Sequence, residues 1–199
     1  MKCMKFSTLA GVFIACSAIF SVATPAAAEN APKVRFATTA GEFVVEVYPD
    51  KAPKTVENFL QYVKDKHYDG TVFHRVIENF MVQGGGFDAN YVQKKTRAPV
   101  VHEGREALAK GGPKNVPGTL AMARTNDPNS ATAQFFINVK DNSFLDPSAQ
   151  QPGYTVFGKV VGGMDVVQKI KAAPTGPGGP FPSDVPKTPI LINSATLVN

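Results

Sequence analysis

Apolar and polar residues alternate along several short stretches of the chain, a pattern that predicts β-strands. The first two stretches, 33–38 and 42–48, are separated by Thr39-Ala40-Gly41 and so predict a β-hairpin. Six later stretches have strand-forming composition and are bounded by turn formers. They are 71–77, 80–83, 118–123, 134–139, 154–161 and 189–197. The chain is therefore predicted to be mainly β.

Two stretches instead carry apolar residues at helical spacing. Pro53 opens the first helix, in which Val56, Phe59 and Val63 share one face. The second helix is predicted over Met164–Ile170. Strands are many, helices are few, and no internal repeat or domain linker is visible. The pattern therefore favours one closed antiparallel barrel capped by helices.

Two further stretches lack a clear period. Residues 90–112 contain Ala98–Val101, which we interpret as extended at most. Residues 174–189 are rich in Pro and Gly, and there we predict a rigid surface loop without regular strands.

The first 28 residues have the layout of a cleavable secretory signal. Lys2 and Lys5 precede the apolar run 9–22, and Ala26 and Ala28 then stand in A-x-A spacing. We expect cleavage after Ala28, which leaves residues 29–199 as a single domain. A membrane anchor is the alternative, but the apolar run is short for a span of about 20 residues.

Loss of this signal changes what the composition implies. Both cysteines leave with it, so we expect no disulfide, thiol nucleophile or Cys-ligated metal in the remainder. A lipid anchor on Cys16 is another alternative, although the residues before Cys16 match that motif poorly. Nineteen of the 21 basic residues remain against 16 acidic ones, a net charge of about +3. No basic block and no second membrane-length segment is present, so we expect neither nucleic-acid binding nor stable membrane association.

The stretch TVFHRVIENFMVQGGG, residues 71–86, places a charge among apolar residues. Strand alternation would put Phe73, Arg75 and Ile77 on one face, and His74 with Val76 on the other. A charge on a buried face is costly unless it is paired, so one interpretation is a salt-bridged or snorkelling Arg. The other is an Arg that donates hydrogen bonds into an apolar ligand groove.

Amides stand beside large apolar residues in two places. Met81 and Gln83 share a strand face directly after Phe80, and Gln134 precedes a pair of phenylalanines. Taken alone, each group is typical of a protein core. The glycines at 84–86 permit a tight turn, but no Gly-Lys-Ser/Thr follows, so they do not form a phosphate loop.

Three motifs in this order resemble the cyclophilin family of peptidyl-prolyl cis–trans isomerases. That family carries FHRVI-x-NFM-x-QGGDF, then G-x-L-x-MA, then S/T-Q-F-F-I; this chain has FHRVIENFMVQGGGF, GTLAMAR and TAQFFIN. The likeness extends over nearly all of 33–197, and the SATAQFFIN form with Arg124 resembles the bacterial periplasmic branch. It implies a closed eight-stranded antiparallel β-barrel capped by two α-helices. It also implies a periplasmic location, with full secretion as the alternative.

The resemblance implies roles for the positions that match its motifs. Arg75 matches the catalytic Arg. The remaining matches are substrate-binding positions: Phe80, Met81, Phe136 and Leu145 as walls of a proline pocket, Gln83 and Gln134 as polar groups beside it, and Ala123 and Arg124 as the backbone site for the residues preceding proline.

The chain departs from many eukaryotic members at three positions. Phe144 falls where many carry Trp, and Tyr154 falls where many carry His; both are assigned to the substrate site. Gly86 replaces a frequent Asp. The first two departures imply weak cyclosporin binding with prolyl turnover retained.

The implied reaction is rotation about X-Pro bonds in unfolded or flexible polypeptides, during the folding of exported proteins. No covalent bond is made or broken, so we expect no cofactor and no metal. Nothing in the sequence demands more than a monomer. A positioned guanidinium would favour the twisted amide by donating to the prolyl nitrogen, which regains a lone pair as resonance is lost.

Several alternatives remain at this point. The chain could be a non-catalytic binding module or holdase for proline-containing segments, or a structural or adhesion protein that reuses the barrel. A metalloenzyme is disfavoured because His67, His74 and His102 show no short ligand spacing. The 174–189 loop could mimic a substrate rather than serve only as a surface loop.

Overall fold

The structure is a computed structural model that describes residue 1 and residues 31–198. Apart from residue 1, the predicted signal segment therefore lies outside the described residues. Ten β-strands form in the described part. They are β1 (Lys33–Thr38), β2 (Gly41–Val47), β3 (Thr71–Ile77), β4 (Met81–Asp88), β5 (Thr119–Met122), β6 (Phe135–Asn138), β7 (Val156–Gly162), β8 (Thr175–Gly178), β9 (Phe181–Pro186) and β10 (Leu191–Val198).

Eight of these strands close into an antiparallel barrel, as expected. Their order is β1-β10-β3-β4-β6-β5-β7-β2, and β2 pairs again with β1. All eight strands predicted from the sequence are present, with boundaries shifted by a few residues. The alternation that predicted them determines their inward faces: Val34 and Phe36 on β1 are fully buried, whereas Lys33 and Arg35 are exposed.

Aromatic rings fill the barrel. Phe36 and Phe43, which pair across the β1–β2 hairpin, stack with ring centroids 5.0 Å apart. Phe59, Tyr68 and Phe135 pack around Phe36 at 5.4–6.3 Å. Such offset and tilted pairs stabilise a core beyond the area that they bury. One connected core thus fills the barrel and supports the strands that carry the outward-facing residues.

Three α-helices form in residues 31–198, where two were expected. The two predicted helices are α1 (Pro53–Lys64) and α3 (Met164–Lys171), and both add buried apolar residues to the barrel core. The helix that the sequence did not reveal is α2 (Gly104–Ala109). It has six residues and buries only Gly104 and Ala107, so it is too short to show an apolar period.

The start of α1 depends on a distant carboxylate. Ala52, the residue before the helix, offers no side-chain cap. The buried Glu103 carboxylate instead accepts hydrogen bonds from the N–H groups of Lys54 and Thr55, at 3.1 and 2.7 Å, and from Thr55 Oγ1 at 2.7 Å. A carboxylate there satisfies free N–H groups and complements the helix dipole. It also ties the irregular segment before α2 to the barrel.

The prediction of a loop without strands over 174–189 is wrong. Strands β8 and β9 form a separate two-stranded antiparallel sheet in this stretch. Phe181 anchors it, with ring centroids 5.4 Å from His74 and 5.1 Å from Phe87. Pro and Gly hid the strand signal, because pairing here depends on this tertiary contact and not on local propensity.

Candidate active site

A bulge in β3 determines which way Arg75 faces. The β3–β4 register shifts between Phe73, which pairs with Gly84, and Arg75, which pairs with Gln83, so that His74 is the extra residue. Phe73 belongs to the interior core together with Val76, whereas Arg75 lines an outer pocket. The expectation that Phe73 and Arg75 share a face is therefore wrong. The expectation that Val76 lies on the opposite face from Phe73 is also wrong, because both residues belong to the core.

The outer pocket has a volume of about 260 Å³. Its lining comes from the strands and loops of one side of the barrel wall, and every lining residue was among the predicted site residues. They are Arg75, Phe80, Met81, Gln83, Ala123, Arg124, Phe136, Leu145 and Tyr154. Nine positions spread over 80 residues of sequence thus meet in one cavity. No residue of 174–189 lines this pocket, so its contacts give no support to the idea that this segment mimics a substrate there.

The floor of the pocket is a small apolar cluster separate from the barrel core. Met81 and Phe136 are almost completely buried in it, together with Ala121 and Val156. Sequence reasoning missed Ala121 and Val156. Each occupies an outward position on its strand, β5 or β7, and the alternation around buried Leu120 and Phe157 is the signal that could have identified them.

Arg75 brings a positive charge to the edge of this apolar pocket. The four salt bridges found in residues 31–198 do not include Arg75. Its guanidinium carbon lies 5.9 Å from the centroid of the Phe80 ring, a cation–π distance. The salt-bridged interpretation therefore finds no support in the described part of the chain. The side chain is half-buried, which leaves its donors accessible to a ligand.

A pair of glutamines borders the pocket. Gln83 Nε2 donates to Gln134 Oε1 at 3.0 Å, so the carbonyl oxygen of Gln83 is left to accept. Gln134 does not line the main pocket. It lines an adjoining one of about 280 Å³, which shares Gln83, Ala123 and Arg124 with the first. The two cavities together form a groove that continues past the apolar pocket.

Gly86 makes room for this glutamine pair. A Cβ atom at position 86 would lie 2.4 Å from Cγ of Gln134, which is closer than real contacts allow. Any side chain there would displace Gln134 and so alter its hydrogen bond with Gln83. The replacement of a frequent Asp by Gly thus has a physical consequence for the groove.

Phe144 lies at the rim and not in the pocket. Its side chain is 62% exposed, and its ring stacks on that of Phe80 at 5.7 Å. The structure therefore places Phe144 beside the predicted site without bringing it into the pocket. The neighbouring Leu145 does line the cavity.

Arg124 uses its side chain to hold the pocket together. Its Nε and Nη2 atoms donate to the carbonyl of Gly153 at 3.1 and 2.7 Å, and Nη1 donates to the carbonyl of Thr125 at 2.8 Å. The guanidinium carbon lies 4.5 Å from the centroid of the Tyr154 ring. Tyr154 in turn meets Phe136 edge-on at 5.5 Å. The Arg124 side chain is thus held in place by contacts within the protein.

The histidine next to Arg75 in the chain packs between aromatic rings. His74 is buried against Phe87 and Phe181, and burial lowers its pKa to about 4. In the part of the chain that the structure describes, no group of three or more His, Cys, Asp or Glu side chains is placed to hold a metal ion.

Across those same residues, no helix has both the length and the apolar character that crossing a membrane requires.

Comparison with known proteins determines the family. The sequence profile described as "Cyclophilin type peptidyl-prolyl cis-trans isomerase/CLD" matches residues 33–197. The chain belongs to the cyclophilin family of peptidyl-prolyl cis–trans isomerases.

Bacterial relatives support the same assignment. The chain is 53% identical over 168 residues to a peptidyl-prolyl cis–trans isomerase of Streptomyces antibioticus, with 83% of this chain and 98% of that protein covered. It is 52% identical over 167 residues to peptidyl-prolyl cis–trans isomerase B of Escherichia coli, with 82% and 98% covered. This cyclophilin is therefore a peptidyl-prolyl cis–trans isomerase.

A solved structure shows the shared fold. The cyclophilin-type isomerase of Cryptosporidium parvum superposes with a TM-score of 0.68 at 23% identity, covering 85% of this chain and 98% of that one. The mainly β fold and the closed eight-stranded barrel predicted from the sequence are confirmed. The barrel of this chain is thus a fold that it shares with that structure.

Proposed function

We propose that this cyclophilin accelerates rotation about X-Pro bonds by binding the twisted amide, with Arg75 as the donor to the prolyl nitrogen. The observation that carries the proposal is an Arg without an ion-pair partner in residues 31–198 at the edge of an apolar pocket. Rotation breaks the amide resonance and faces a barrier of ~18–20 kcal/mol. An interaction stronger in the twisted state than in either planar state lowers that barrier.

The guanidinium of Arg75 suits this task because of its chemistry. It is always charged, it presents several donors, and it cannot act as a base near neutral pH. The prolyl nitrogen has almost no acceptor capacity while planar and gains a lone pair when the amide twists. A donor fixed at the pocket edge therefore favours the twisted amide selectively, as in other preorganised electrostatic sites.

The apolar pocket supplies the other half of the proposal. A pyrrolidine ring carries no donors, so the walls formed by Met81, Phe136 and Leu145 can hold it without leaving polar groups unpaired. Holding the ring lets the carbonyl on the other side of the bond rotate. Gln83 and the backbone at Ala123 are placed along the groove to restrain the rest of the peptide.

Exchange spectroscopy tests this function. The rate of cis–trans exchange in a panel of X-Pro peptides would be measured with and without the protein, with Phe136→Ala as the variant that opens the pocket. We expect accelerated exchange for the native protein and a rise in KM for Phe136→Ala. Binding of the peptides without acceleration would instead support the holdase or binding-module alternative.

We also propose that the protein acts on exported polypeptides in a bacterial periplasm. The support is the three-part pattern of residues 1–28, in which Lys2 and Lys5 precede an apolar run and an A-x-A site. Expression of the full chain in a Gram-negative host, followed by fractionation and N-terminal sequencing, tests this. We expect periplasmic protein that begins at Glu29; intact protein in the cytoplasm or the membrane would contradict export.

A further inference from the structure

Tyr154 lines the pocket, and the backbone carbonyl of the preceding residue, Gly153, is contacted by two side chains. The Gly153 oxygen accepts from Nε and Nη2 of Arg124, at 3.1 and 2.7 Å, and lies 3.2 Å from Nε2 of His102. His102 lies in the stretch 90–112 that the sequence left without a clear pattern. It does not line the pocket itself.

The hydrogen bonds of His102 define its tautomer. Its Nδ1 atom accepts from the backbone N–H of Gly104 at 3.3 Å, so the ring proton belongs on Nε2, where it is donated to Gly153. Burial lowers the pKa of His102, and the facing cations Arg124 and Arg105 lower it further, whereas the hydrogen bond to Gly153 and the nearby Glu106 act in the opposite direction. The neutral ring therefore serves at once as donor to one segment and acceptor from the other.

The residue after Tyr154 is held by the same segment. The N–H of Glu103 donates to Oγ1 of Thr155 at 3.2 Å, and the Glu103 carboxylate is anchored on the first turn of α1. The N–H of Tyr154 itself donates to the carbonyl of Leu145 at 3.0 Å. Residues 102 and 103 thus bracket Tyr154, with one contact before it and one contact after it.

The Gly153 turn has no freedom to accept a substitute. Its φ of +66° lies in the left-handed region, and a Cβ atom there would stand 2.4 Å from the backbone nitrogen of Pro147. The tight turn therefore determines the direction of the Gly153 carbonyl. The side chains of His102 and Arg124 both contact this carbonyl. Loss of either donor would leave the turn less constrained next to Tyr154.

We propose that His102 is a positioning residue of the prolyl pocket: it fixes the Gly153 carbonyl and thereby the Tyr154 wall against which the substrate lies. This inference rests on the proposed function of the pocket. Because His102 acts through Tyr154 and does not touch the reacting amide, its loss should weaken peptide binding and leave the rotation step nearly unchanged. The effect should therefore appear in KM and not in kcat.

Two amide substitutions separate the contacts of His102. The Nε2 of His102→Gln can occupy the place of the imidazole Nε2 and donate to Gly153, whereas His102→Asn reaches only the place of Nδ1. We expect His102→Asn to raise KM about 3- to 10-fold, the equivalent of one net hydrogen bond, with kcat changed less than about twofold. His102→Gln should stay within about twofold of the native KM. Thr38→Val, which removes a hydrogen bond to the Gly41 carbonyl away from the pocket, is the matched control and should leave KM unchanged.

A double-mutant cycle with Tyr154→Ala decides whether the effect passes through Tyr154. If it does, His102→Asn should add no further rise in KM on that background. A KM that stays native in His102→Asn, or a rise of equal size on both backgrounds, would overturn the proposal.

The ring resonances of Tyr154 provide a second readout that needs no turnover. They should shift in His102→Asn, return toward the native position in His102→Gln, and stay unchanged in Thr38→Val. A native protein without isomerase activity would defeat the proposed function, yet this spectrum would still test the role of His102. Unshifted Tyr154 resonances in His102→Asn would overturn that role on their own.

Discussion

Phe73 and Arg75, separated only by His74, lie on opposite faces of the barrel wall. Phe73 packs in the core, with its ring 6.4 Å from that of Phe135, whereas Arg75 lines the outer pocket opposite Gln83. The bulge at His74 makes this possible, because one extra residue shifts the phase of strand alternation. His74 itself packs against Phe87 and against Phe181 of the β8–β9 sheet, so these contacts hold the bulge in place next to Arg75.

Acid should destabilise the protein through His74. Its pKa falls from an ordinary 6.5 to about 4 in the fold, so the unfolded chain binds more protons between those values. Stability is therefore greatest above about pH 6.5 and should fall by on the order of 3 kcal/mol as the pH approaches 4. The lowered pKa values of His67 and His102 act in the same direction.

Urea unfolding at several pH values measures this loss. His74→Phe keeps a ring between Phe87 and Phe181 but cannot titrate, so its stability should depend less on pH over the same interval. An equally steep acid dependence in His74→Phe would show that His74 is not its source.

The strand pattern alone could predict most of the barrel and the outward set of Met81 and Gln83, because alternation survives wherever a strand is regular. It could not predict that Phe73 and Arg75 lie on opposite faces, because a bulge leaves no mark on local composition. It could not reveal α2, whose start at Gly104 carries no helix signal. The role of Arg75 could be inferred only from its motif, because a single Arg between apolar residues fits a salt bridge equally well.

Glu103 should be required for stability although it lies outside the pocket. Its carboxylate accepts three hydrogen bonds at the first turn of α1, so Glu103→Gln removes the charge and turns one acceptor into a donor that faces donors. We expect a loss of about 1–3 kcal/mol in the free energy of unfolding. Urea denaturation checks it, with Glu57→Gln on the exposed face of the same helix as the control, expected to change little.

Gly86→Ala should disturb the glutamine pair. The added methyl group would occupy the space of the Gln134 side chain, so the 3.0 Å bond from Gln83 Nε2 should break. We expect a KM increase of about 2- to 10-fold from the loss of that bond, together with shifted side-chain amide resonances of both glutamines. Gly162→Ala, whose Cβ would meet nothing closer than 3.7 Å, is the matched control. Unshifted amide resonances in Gly86→Ala would contradict the steric argument.

Cyclosporin should inhibit the native protein weakly, and Phe144→Trp should strengthen inhibition. Phe144 is exposed on the Phe80 ring at the pocket rim, so an indole there would add apolar surface and an N–H donor. We expect the inhibition constant to fall about tenfold, which corresponds to one net hydrogen bond. Inhibition of peptide exchange measures it, and Val92→Trp, at another exposed apolar position, should give no gain.

The most direct test of the account is the exchange rate of an X-Pro peptide with Arg75→Ala. Loss of one preorganised donor predicts a fall in kcat/KM of about 10²- to 10³-fold, with the peptide still bound. Arg35→Ala removes the same charge from an exposed site on β1 and should leave kcat/KM within about twofold of native. Near-native turnover in Arg75→Ala would contradict the central claim, whatever the peptide affinity.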